Sequence, residues 1–132
     1  MDVASDGVHI VRHGPWASST NDEAFSSFAN GKLIREYKIK ELIDIKFLLP
    51  HSVSHFTWAE SENIDDSVMR YLVNTKDGNS FVFDLRTGAI IEASRRARLL
   101  LWGAPVVLVL GLTTLLVWRN KMKGSQQRSG IR

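Results

Sequence analysis

Four histidines fall in two pairs of i, i+4 spacing, His9/His13 and His51/His55. On one helical face such a pair brings two imidazoles to a single metal ion. The first pair sits in a polar stretch, however, and the second follows Pro50 into a strand-like pattern, so both read as surface or half-buried rings. Glu60, Glu62, Asp65 and Asp66 gather four carboxylates in seven residues, the ligand type a calcium ion prefers. They lack the D-x-D-x-D-G order of a calcium loop and read as a solvated loop between strands. Arg12 beside His13 supplies the two groups of phosphohistidine chemistry, an imidazole to take a phosphoryl group and a guanidinium to hold it.

The tetrapeptide Val11-Arg12-His13-Gly14 matches the core of the histidine-phosphatase signature. That chemistry needs a large α/β domain with a second catalytic histidine and further arginines, which this chain has no room for. It reads as a chance match. There is no cysteine, hence no disulfide, no thiolate metal site and no thiol nucleophile. No Gly-rich phosphate loop and no nucleophile–base arrangement is recognisable. No enzyme activity, cofactor or metal is expected.

The elements that would position these residues divide sharply by charge. The 132-residue chain has a net charge of +3 and a pI near 9.4. Up to Ser94 it carries nine basic and fourteen acidic residues, net −5; from Arg95 onward it carries eight basic residues and no acidic one, net +8. The basic excess therefore belongs to one C-terminal segment. Within it Leu99–Trp118, LLLWGAPVVLVLGLTTLLVW, is twenty residues without a charge, about 30 Å as a helix and long enough to cross a bilayer. Arg95, Arg96 and Arg98 precede it; Arg119, Lys121 and Lys123 follow it; Trp102 and Trp118 lie near its ends, where indoles favour the headgroup region. These eight are the expected membrane anchors, and the basic tail is expected to meet anionic lipid headgroups. The span carries no ionisable residue and so offers no haem ligand, proton relay or ion path. With so little aromatic interleaving in the tail, nucleic acid is not expected as a partner.

Met1–Gly7 is acidic without an apolar run, and no secretory signal peptide is expected there. Residues 1–31 are rich in Ser, Asn, Asp and Gly and read as an irregular arm. Leu33–Leu49 is compatible with both helical and strand periods; its Lys, Glu, Leu and Ile content favours a helix that stops before Pro50. Ser54–Ser61, Met69–Thr75, Ser80–Leu85 and Ala89–Ile91 then read as strands, with Asp77-Gly78 as a tight primed turn and Arg86-Thr87-Gly88 as a second turn. Asp84 is expected to bond the backbone of that second turn. The expected fold is α+β: a small antiparallel β-meander covered by one helix, plus a single C-terminal transmembrane helix. The expected bounds are an arm over 1–31, a domain over 32–94, a basic linker over 95–98, the span over 99–118 and a tail over 119–132.

Tyr71, Asp77, Gly78, Phe83, Asp84, Thr87 and Gly88 fill a Tyr strand, a glycine turn, an aromatic strand ending in Asp, then x-x-Thr-Gly and a short apolar strand. Over Tyr71–Ile91 the chain resembles the end of a PepSY domain, and the following helix looks like the transmembrane segments attached to such domains in bacterial membrane proteins. The upstream helix departs from the family's Ala-rich pattern. The resemblance implies a non-catalytic module, outside the cytoplasmic membrane, that binds or regulates a protein partner. Five basic residues after the span against three just before it also favour the tail in the cytoplasm, a margin that narrows to five against four when Arg86 is counted; a domain without a signal peptide ahead of one late span reads instead as tail-anchored, with the domain in the cytosol. The aromatic face and the free edge of the meander are the expected contact surfaces. The other reading is an accessory or assembly subunit of a larger membrane complex, such as a respiratory or iron-uptake one, contacting it through the helix.

Overall fold

A computed structural model describes residues 1–98 of the chain. The expectations for Leu99–Trp118, including Trp102 and Trp118, and for the tail with Arg119, Lys121 and Lys123 lie outside the described residues. Among the described residues no helix is long and apolar enough to cross a membrane.

Residues 1–97 form one compact, mostly-β unit of two four-stranded antiparallel sheets. The first sheet is β1 (Asp2–Val3), β2 (His9–His13), β3 (Glu23–Ala29) and β4 (Lys32–Lys38), in that order. The second is β5 (Ala59–Asp65), β6 (Arg70–Thr75), β7 (Asn79–Asp84) and β8 (Ile90–Arg95), again in chain order. Between them stand one turn of helix, α1 (Ile39–Leu42), and a short 3-10 turn at Lys46–Leu48.

The irregular arm over 1–31 is thus corrected to three strands. Asn30 and Gly31 both take positive φ, 50° and 73°, the geometry of a two-residue primed hairpin that pairs β3 with β4. That hairpin also overrules the helix expected over Leu33–Leu49: residues 32–38 become a strand, because pairing with β3 outweighs intrinsic helix propensity. A single helical turn survives. Beyond it the Asp77 carboxylate accepts the backbone N–H groups of Asp44 and Ile45, at 2.6 and 3.0 Å, diverting the backbone from further helical bonding. Among the described residues no helix covers the meander; the first sheet packs on it instead.

Inward-pointing residues alternate along the strands as a two-sided packing demands. Val11, Phe25 and Tyr37 from the first sheet meet Tyr71, Val73, Phe81 and Phe83 from the second, all fully buried or nearly so. Phe25 touches Tyr71 and Phe83 with ring centroids 4.9 Å apart, and Tyr37 touches Phe83 at 4.9 Å. Burial of each such ring contributes about 1.5–3 kcal/mol, with up to about 1.5 kcal/mol more from each aromatic pair. The aromatic face expected to meet a partner is therefore the core. β8 is the reverse case: Ile90 to Ser94 are all exposed on a sheet edge.

The hairpin between β6 and β7 is where Asp77-Gly78 was expected, but not of the primed kind. Among Lys76, Asp77 and Gly78 only Gly78 takes positive φ, 91°, so the loop has three residues and closes on the Gly78 N–H to Thr75 carbonyl bond. Ser54–Ser61 is a strand only from Ala59; Phe56 and Trp58 lie in a loop that includes an isolated bridge between His51 and Phe56.

Candidate functional site

The residues that carry the PepSY resemblance hold the two sheets together. Tyr71 and Phe83 are core rings, as above. Asp84 accepts the N–H groups of Arg86 and Thr87 at 2.7 and 3.3 Å, and the Thr87 hydroxyl accepts from the Ala89 N–H at 3.3 Å. The turn they stabilise delivers Gly88, at φ 67°, against the first sheet, where the Tyr37 hydroxyl donates to its carbonyl at 2.8 Å. A methyl group at Gly88 would stand 2.8 Å from the Arg35 Cβ. Asp77 and Asn79 anchor the other end. The Asn79 side-chain amide donates to the Leu42 carbonyl at 3.1 Å and to Asp44 at 3.0 Å, and its oxygen accepts the Ala97 N–H at 3.3 Å.

A second cluster bridges the sheets through polar groups. The two ring nitrogens of His13 lie 2.9 Å from Asp2 and 3.2 Å from Glu62, and the buried Tyr71 hydroxyl donates to Glu62 at 2.7 Å. Burial, with the Glu62 charge second, pushes the Tyr71 phenol well above its ordinary value, so it stays a donor. Arg12 is absent from this cluster. Adjacent strand residues face opposite ways, and its guanidinium instead pairs with Glu23 at 2.9 Å. The Arg–His phosphotransfer pair is split by the strand that carries it.

The other expected constellations are dispersed too. His9 pairs with Asp6 at 2.6 Å. The acidic run, read as a loop, lies largely in β5: Glu60 faces Lys76, Glu62 points inward, Asp65 caps Ser67, and Asp66 accepts the Ser5 N–H at 2.9 Å. Among the described residues no three His, Cys, Asp or Glu side chains are placed to hold a metal ion. Arg95, expected as a lipid-facing anchor, is spent within the domain: it pairs with Asp44 at 3.1 Å, donates to the Glu41 carbonyl at 2.8 Å and covers the Phe81 ring. Arg96 and Arg98 are exposed.

His51 and His55 meet in a different role. They line an open cavity of about 480 Å³ with Pro15, Trp16, Pro50, Phe56 and Trp58. Its frame is backbone: the Phe56 N–H bonds the Ala17 carbonyl at 2.9 Å, Ser52 bonds the His55 carbonyl at 2.7 Å, and Thr57 bonds the Pro50 carbonyl at 3.0 Å. Gly14 begins the wall and has no room for a side chain, since a Cβ there would lie 1.8 Å from the Glu23 carbonyl oxygen. Trp16 is 83% exposed, with its indole set edge-on to His55 at 5.6 Å; His51 lies against Phe56 at 5.7 Å. No carboxylate, ammonium or guanidinium lines the cavity. Sequence reasoning missed it, because a single tryptophan beside a proline is ordinary on a surface and its partners in the wall come from a distant loop.

No protein-family model matches the chain, and neither a curated protein nor a solved structure is similar enough to match.

Proposed function

We propose that the chain is a non-catalytic binding module, tethered to a membrane by Leu99–Trp118, that holds a protein partner beside the lipid surface through the Trp16 cavity. One observation carries this reading: an exposed tryptophan built into the wall of a cavity lined by aromatic rings and two imidazoles, with no carboxylate, ammonium or guanidinium. An aromatic cleft with a few hydroxyls suits recognition, and its two imidazoles are each engaged at Nδ1, His51 with the Leu49 carbonyl and His55 with the Ser54 hydroxyl at 2.7 Å. Support for the tether is the twenty-residue uncharged run with basic residues and tryptophans at its ends. The reading keeps from the PepSY resemblance its implied role, binding without catalysis on the outer side of a cytoplasmic membrane, and moves the contact from the aromatic sheet face to the cavity.

The test is co-purification of the full chain from alkali-washed, detergent-solubilised membranes, wild type against Trp16→Ala. The wild-type chain is expected to remain in the washed membrane and to retain partners that the variant loses. A chain released by alkali refutes the tether. A partner set unchanged by the substitution refutes the cavity as the contact.

A further inference from the structure

The 3-10 turn between the two sheets holds a pair of apolar side chains outward by construction. In Lys46–Leu48, Phe47 is 77% exposed and Leu48 47%, while the residues on either side, Ile45 and Leu49, are buried. The Leu48 N–H bonds the Ile45 carbonyl at 3.2 Å and the Leu49 N–H bonds the Lys46 carbonyl at 3.1 Å. Pinned at both ends, the turn cannot roll Phe47 into the core.

Two further observations bear on what covers it. The chain leaves the domain beside this turn. Arg95 pairs with Asp44 at 3.1 Å and donates to the Glu41 carbonyl at 2.8 Å. The Ala97 N–H reaches the Asn79 side chain at 3.3 Å, whose amide donates to the Leu42 carbonyl at 3.1 Å and to Asp44 at 3.0 Å. Ala97 is thus one side chain away from the segment that runs into Lys46, and two residues ahead of the uncharged run that opens at Leu99. Charge points the same way. Residues up to Ser94 carry net −5, which an anionic bilayer repels, so only a face without carboxylates can approach one. Ile45–Ala59 contains no Asp or Glu, and Lys46 is its one Lys or Arg. The carboxylates that flank this stretch are engaged, Asp44 with Arg95 and Glu60 with Lys76. An apolar pair beside a lysine, on a carboxylate-free loop next to the chain's exit, is the composition of an interfacial lipid contact.

We infer that the Lys46–Leu48 turn rests on the bilayer, Phe47 and Leu48 entering the boundary between headgroups and acyl chains and Lys46 meeting lipid phosphates. Together with the exit after Ala97 it attaches the domain to the surface at two points, which orients the domain where a single linker would let it swivel. This contact presupposes the tether proposed above and is independent of the Trp16 cavity.

The sequence has no cysteine, so Phe47→Cys and Lys32→Cys each give the full chain a single labelling site. Lys32 is exposed at the hairpin end of β4, about 20 Å along the strand from Lys38 and α1. Each variant carries an environment-sensitive nitrobenzoxadiazole label, one chain per nanodisc of phosphatidylcholine and phosphatidylglycerol. At position 47 the emission is expected to shift to the blue, to be quenched by lipid bearing a nitroxide high on its acyl chain, and to be at least threefold less accessible to aqueous iodide than at position 32. Leu48→Cys gives the same reading should the Phe47 variant not fold. Iodide access equal to that at position 32, or a blue shift that the nitroxide lipid does not quench, which marks a protein cover, overturns the inference. In that event a chain that stays in alkali-washed membranes and keeps its Trp16-dependent partners leaves the binding role standing; a chain that alkali releases has lost the tether as well.

Discussion

Adding one methyl group at each of two glycines separates backbone strain from sheet-on-sheet contact. Gly78 and Gly88 both take positive φ, 91° and 67°, so alanine at either costs about 1–2 kcal/mol in a backbone geometry that L side chains avoid. Both substitutions also reduce the entropy of the unfolded chain, and that contribution cancels in the comparison. The surroundings differ. A Cβ at Gly78 meets nothing within 4 Å, whereas at Gly88 it lies 2.8 Å from the Arg35 Cβ, 3.1 Å from the Ser27 hydroxyl and 3.3 Å from the Ile34 Cγ2, all on β3 and β4. Relieving that overlap moves the turn off the first sheet or strains both, at roughly 1–3 kcal/mol. Gly88→Ala is therefore expected to lose about 2–5 kcal/mol and Gly78→Ala about 1–2 kcal/mol. In a domain of this size each kcal/mol lowers the midpoint by roughly 4–8 °C. Thermal unfolding of the full chain in detergent, followed by the far-ultraviolet signal of the sheets, reads both variants. Equal losses, or a larger loss at Gly78, would show that the Thr87-Gly88 turn does not pack on the first sheet.

Asp77→Ala strips two N–H groups, the buried one of Ile45 and the part-buried one of Asp44, of their acceptor and is expected to cost about 2–4 kcal/mol in urea unfolding; a loss within error of a surface substitution would contradict the geometry. Phe25→Ala removes the ring that touches Tyr37, Tyr71 and Phe83 and is expected to cost about 3–5 kcal/mol by the same measurement. The N–H groups of His9 and Val8, with the His9 ring, hold the Asp6 carboxyl at about 2, below its ordinary 3.8. A depressed carboxyl stabilises the fold above its unfolded value and loses that contribution as pH falls from about 4 through 2. Asp6→Asn should flatten the acid limb of the midpoint-against-pH curve in that window, and an unchanged limb would refute the assignment.

How far the sequence foretold this structure varies along the chain for identifiable reasons. Between Met69 and Ile91 the alternation of Tyr71 and Val73, then Phe81, Phe83 and Leu85, coincides with two glycine turns, and local and tertiary preferences agree. In the first sheet they conflict. Ser26 and Ser27 look like loop residues, yet both are buried in β3, Ser27 donating to the Arg35 carbonyl and Ser26 to Glu23. The dipeptide Asn30-Gly31 was the available hairpin signal, hidden by the polarity around it. Leu33–Lys38 suits a helix by residue type and becomes a strand through its neighbour. The cavity was the least legible feature, because residues 14–17 and 50–59 are distant in the chain and meet through the Phe56 to Ala17 backbone bond and the contact of Trp16 with His55. The histidine pairs read as surface or half-buried rings, and His51 and His55 line the cavity as rings.

The central claim, that the Trp16 wall is where a partner sits, is tested most directly by placing a photo-crosslinking amino acid, p-benzoylphenylalanine, at position 16 of the full chain in its native membrane. The same group at position 36, exposed on the far edge strand β4, is the reference. A discrete adduct from position 16, absent from position 36, is expected. No adduct from position 16, or the same adducts from both positions, would contradict it.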